Sequence, residues 1–119
     1  MPSKTHHLQI ARDNEQLAGH FNLDSAPARG WASTIYFYAA LHYVEAFFST
    51  KGSHSADHRT RDSNLCRHTP TMDIYDEYCE LKNISTSARY LGRYPNKTEL
   101  SVEVMPALAK VRAEMEKHF

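Results

Sequence analysis

At 119 residues the chain has room for one domain with a core of its own, and 41% hydrophobic with 24% charged residues excludes wholesale disorder. Fourteen Lys and Arg balance fourteen Asp and Glu, which excludes long-range capture of nucleic acid and leaves only a local basic patch for such a role. The eight histidines add positive charge as pH falls.

Glycines and prolines punctuate the chain between stretches of helical period. A first helix is predicted from about Thr5 to Phe21, with Thr5 as N-cap. Its stripe is Ile10, Asn14, Leu17 and Phe21, and Arg12, Asp13 and Glu15 face away. The second, Ala28 to Lys51, is apolar almost all round, as a helix buried on most sides must be. Tyr36, Phe37, Ala40, Val44 and Phe47 form one face, and Trp31, Ile35, Tyr38, His42 and Glu45 the other. Gly52 ends it. A short polar third helix runs from Ser55 or Asp57 to Arg67 and is closed by Pro70. The fourth, Thr71 to Leu91, carries the stripe Ile74, Tyr78, Leu81, Ser85 and Ala88. The fifth starts near Thr98, after the GRYPNK loop, and keeps Leu100, Val104, Leu108, Val111 and Met115 in register. Pro106 must kink it or split it at Met105. No segment alternates with a period of two, so no sheet is expected. The expected architecture is all-α: a single domain over residues 1–119, an antiparallel up-and-down four-helix bundle with one extra short helix.

Cys66 and Cys79 make neither a metal spacing nor a disulfide framework and read as free thiols of a reducing cytosol. The N-terminal segment lacks the apolar core of an export signal. The apolar stretch Ile35 to Phe48 is short and interrupted by His42 and Glu45. A cytoplasmic protein without a membrane segment is expected.

His42 and Glu45 are three apart on one face of the central helix. They read either as a pocket-lining pair or as a carboxylate satisfied by His42 or by an Arg from another helix. The run HSADHRTRDSNLCRH holds His54, His58, Arg59, Arg61, Asp62, Arg67 and His68. His54 and His58 have helical metal-ligand spacing, but no third ligand follows, so no metal and no cofactor is expected. His58 and Arg61 share a face and offer a titratable nitrogen beside a planar cation. Those are the two things phosphodiester cleavage needs without a metal; the alternative is a solvated helix. Arg89 lies at the edge of the fourth stripe, able to pair with Glu45, cap carbonyls or reach a site. Trp31, Ile35 and Tyr38 form a second apolar face suited to a homodimer contact.

The order YFYAALHYVEAFFSTKGSHSADHRTRDSNL followed by YDEYCELKNISTSARY resembles small prokaryotic HEPN-domain proteins over about half the chain, Trp31 to Tyr90. The resemblance implies an antiparallel helical bundle that dimerises. It implies either a metal-independent ribonuclease, often a toxin paired with a nucleotidyltransferase-like antitoxin, or a non-catalytic RNA- or nucleotide-binding module. The family's motif is an Arg, a polar residue and a His a few residues on. It is met by Arg61, Asp62 and, after six intervening residues, His68, although here the Arg lies in a middle helix instead of a late one. On the catalytic reading His68, or else His58, is the acid/base, Arg61 stabilises the phosphorane and Asp62 orients one of them. His42, Glu45, His54 and Arg89 then line the substrate site, and Arg61→Ala abolishes cleavage with little change in thermal midpoint. The second reading is a non-catalytic protein-interaction module, in which these side chains are scattered or tied to internal carboxylates.

Overall fold

The computed structural model describes residues 2–53 and 55–119; His54, one of the sequence-predicted site residues, lies outside the described residues. The described residues are helical throughout their regular structure, with no strand among them. Helix α1 spans Lys4–Ala18, α2 Ala26–Thr50, α3 His58–Leu65, α4 Thr69–Met72, α5 Tyr75–Leu91 and α6 Lys97–Glu99. A π-helical turn, Leu100–Val104, then leads into α7, Met105–Glu116. At 1.5 Å per residue α2 is roughly 37 Å long and accounts for the long dimension of a molecule measuring 41 × 23 × 23 Å.

The central helix is set by local chemistry. The Ser25 side chain accepts from the Ala28 N–H, Pro27 sits in the first turn where no donor is needed, and Gly52 takes a positive φ of 70° just past the end. Against it pack α1, α5 and α7, and α5 also packs on α7. The core they enclose combines the aromatic rings of Phe37, Tyr43, Phe47, Phe48 and Tyr78 with the aliphatic side chains of Leu65, Ile74, Leu81, Val104, Leu108 and Met115. Ala11 and Ala18 on α1 face a helix rich in alanine, Ala32, Ala39, Ala40 and Ala46, so small side chains are buried on both partners.

Four expectations about elements are corrected. The first helix is capped by Ser3, not Thr5, and ends at Ala18, three residues short of Phe21. Its buried stripe is His7, Leu8, Ala11 and Ala18, while Leu17 is half-exposed. Glu15 turns inward, where it accepts from Tyr43 and pairs with Arg112. Burying alanines under paired polar groups overrides a stripe counted from the largest side chains. Pro70 does not close α3; it lies in the first turn of α4, the position a missing N–H favours. The fourth segment is broken at Asp73 and Ile74 into α4 and α5, although its predicted stripe, Ile74 to Ala88, is buried as expected. The break before Pro106 falls at Met105 and takes the form of the π-turn, in which the Met105 N–H reaches back to the Leu100 carbonyl. An Asn96–Glu99 capping box starts this last segment.

Candidate functional site

Three of the side chains singled out from the sequence, Glu45 on α2 and His58 and Arg61 on α3, meet in one place. Asp57 caps α3 by accepting from the Thr60 N–H at 2.8 Å, which fixes the helix phase so that Arg61, Asn64 and Leu65 face inward. Asn64 Nδ2 donates to Ser55 Oγ at 3.1 Å, tying down the segment before the helix. Thr71 Oγ1 donates to the Leu65 carbonyl at 2.7 Å and closes its end.

Arg61 is thereby carried into the protein, 8% exposed, and its Nε donates to Oε1 of Glu45 at 2.6 Å; Glu45 is 4% exposed. Glu45 is thus satisfied by an Arg from another helix and not by His42. Nη1 of Arg61 lies 3.1 Å from Nδ1 of His58. A guanidinium only donates, so Nδ1 accepts and the neutral ring carries its proton on Nε2. Burial, then the positive charges of Arg61 and Lys82, hold the His58 pKa below its ordinary value. The ring lies over Phe37, centroids 6.2 Å apart. In this state His58 presents a neutral hydrogen-bond donor at Nε2, not a free base.

The neighbouring groups are equally committed. Asp62 accepts from Lys82 Nζ at 2.7 Å. His42 Nδ1 lies 3.0 Å from Nδ1 of His7. Burial, then His7 and Arg61, depress the His42 pKa to about 4. His68 caps no N–H with its side chain. Its ring lies against Phe47 and Phe48, at 5.5 and 5.8 Å, whereas Arg61 is bonded to Glu45 and His58. The structure therefore brings Glu45, Arg61 and His58 together and places His68 on a different set of rings. Arg89 does not pair with Glu45: its guanidinium sits over Tyr38 at 5.7 Å and Tyr90 at 5.4 Å.

Sequence reasoning missed three participants. His7 was assigned to no face, although it lies one residue from the buried Leu8. Lys82 lies outside the predicted stripe and reaches Asp62 from α5. Tyr78 was read as core only; its buried hydroxyl lies near Arg61 and makes no hydrogen bond of ordinary geometry among the described residues. Among the described residues no group of three or more His, Cys, Asp or Glu is placed to hold a metal ion, and no helix is long and apolar enough to cross a membrane. Comparison with family models, with curated proteins and with solved structures returned no match to this chain.

Proposed function

We propose that this chain is a HEPN-type antiparallel helical bundle that binds single-stranded RNA without cleaving it. The support is the surface that His58 shares with its neighbours. Tyr38 is partly exposed beside Phe37, Arg89 lies over the Tyr38 ring, and Lys82 and Arg89 are close enough to His58 to depress its pKa. A neutral donor, an aromatic face and cations are what a sequence-tolerant single-strand site uses: bases stack on the ring and phosphates meet the cations. The observation that carries the non-catalytic form is the commitment of Arg61, whose Nε and Nη1 are both engaged inside the protein. Stabilising a phosphorane from there requires breaking a buried ion pair.

The test is fluorescence anisotropy with a labelled single-stranded RNA, chelator present, followed by a gel of the same sample. Binding that weakens by about 1–3 kcal/mol in Tyr38→Ala and also weakens in Lys82→Ala, with the RNA intact, is the expected result. No anisotropy change even at low salt removes the RNA reading. Cleavage in the presence of chelator would restore Arg61 and His68 as a catalytic pair, and with them the toxin form and its nucleotidyltransferase-like antitoxin.

A homodimer is a second use of the same side of α2, favoured by the exposure of Trp31, at 59%, in line with Tyr38. Light scattering on the purified chain and on Trp31→Ala distinguishes the two states.

A further inference from the structure

The chain turns back on itself after α3, and two ties fix the reversal. Near the turn, Thr71 Oγ1 donates to the Leu65 carbonyl at 2.7 Å. Further along, Lys82 Nζ on α5 reaches Asp62 Oδ2 on α3 at 2.7 Å. Phe37 lies against both His58, at the start of α3, and Tyr78 on α5. The first half of α5 therefore runs back alongside α3, so that later residues of α3 stand opposite earlier residues of α5.

Both cysteines of the chain fall between Asp62 and Lys82, the residues of the outer tie. Cys66 is one turn beyond Asp62, and Cys79 is one turn before Lys82; residues three or four apart share a helix face. Cys66 still has helical φ and ψ as the C-cap of α3, so the register extends to it. The face that carries Asp62 to Lys82 thus carries Cys66 towards Cys79. Tyr75, in the first turn of α5, touches the same place. A hydrogen bond with Cys79, then negative charge on Cys79 and on Cys66, hold its hydroxyl above the ordinary pKa, with burial and Asp62 adding to the effect. Both thiols are free; Cys66 is exposed and Cys79 is half-buried.

We infer that Cys66 and Cys79 form a thiol–disulfide exchange site, which a small-molecule disulfide of the glutathione type converts into an intramolecular disulfide clamping the end of α3 to α5. The Cys66 thiolate, being the exposed one, attacks a sulfur of the small disulfide; a mixed disulfide forms and the first glutathione thiolate leaves. The Cys79 thiolate then attacks the Cys66 sulfur, the protein disulfide closes and the second glutathione thiolate leaves. Two electrons pass from the cysteines to the glutathione pair, whose thiolates take up the two protons. The inference does not rest on RNA binding at the His58 surface.

The test equilibrates the native protein, and the same protein unfolded in urea, with mixtures of reduced and oxidised glutathione. Each sample is quenched with acid and weighed. The native chain should end as a monomer lighter by about 2 Da, with both thiols closed to maleimide. It should be half-oxidised in a mixture about tenfold more reducing than the unfolded chain requires, because the fold already holds the two thiols together. The oxidised protein should therefore melt several degrees higher than the reduced one. In Cys79→Ser the reaction should stop at the mixed disulfide on Cys66. Glutathione remaining on Cys66 in the parent chain, or a disulfide-linked dimer, would overturn the inference by showing that Cys66 does not reach Cys79. So would equal oxidation of native and unfolded chains, or a lower melting point after oxidation.

Discussion

Replacing Glu45 by Gln keeps the side-chain shape and removes the one charge facing Arg61. With charge centres about 4 Å apart and an effective dielectric of about 20, the lost attraction is about 4 kcal/mol. The Gln carbonyl still accepts from Nε and returns about 1 kcal/mol. The net loss of about 3 kcal/mol matches what breaking a buried pair costs when a guanidinium stays behind uncompensated, about 3–5 kcal/mol. In a domain this size that corresponds to a fall in thermal midpoint on the order of 10–15 °C. Urea unfolding followed by circular dichroism measures it directly. Arg61→Met should lose a similar amount, and the double variant Glu45→Met/Arg61→Met should recover most of it, because two apolar groups leave no buried charge. A Glu45→Gln protein within about 1 kcal/mol of the parent, or a double variant no better than either single one, would refute the reasoning, since neither fits a desolvated pair. This expectation opposes the sequence-based one that removing Arg61 leaves the thermal midpoint nearly unmoved, and the same unfolding curves decide between them.

Acid should weaken the protein through His42. Its folded pKa of about 4 lies below the ordinary 6.5, so between the two the unfolded chain takes up a proton that the folded chain refuses. Stability is complete above about pH 6.5 and declines towards pH 4, by about 2 kcal/mol once the full shift is discounted for the partial exposure of His42. Urea midpoints across that range should slope less in His42→Gln; an equal slope would place the acid sensitivity elsewhere. Tyr78→Phe removes a buried hydroxyl that lies near Arg61 but makes no hydrogen bond of ordinary geometry among the described residues, and keeps the ring on Phe37. It should leave stability unchanged or raise it by about 1 kcal/mol, and a loss of that size in the same unfolding assay would mean the hydroxyl is bonded after all.

What the amino-acid order determined by itself was whatever depends on neighbours a few residues away. Gly52 ends the central helix where a residue must take positive φ. The stripes Ile74 to Ala88 and Leu100 to Met115 are buried as their spacing requires, and Pro106 breaks the last helix at Met105. The absence of two-residue alternation was enough to read an all-helical chain. Partner choice was a different matter. Glu45 had His42 one turn earlier on its own helix and took Arg61, sixteen residues on, while His42 turned to His7, thirty-five residues back. The arginine–histidine spacing that suggested chemistry was real in the sequence, yet the phase set by the Asp57 cap carried Arg61 into the core and left His68 on the rings of Phe47 and Phe48. Helical period says which side chains share a face. Which charge neutralises which is decided only when helices distant in sequence dock, because a buried ion takes the counter-ion that the packed geometry offers and not the nearest one along the chain.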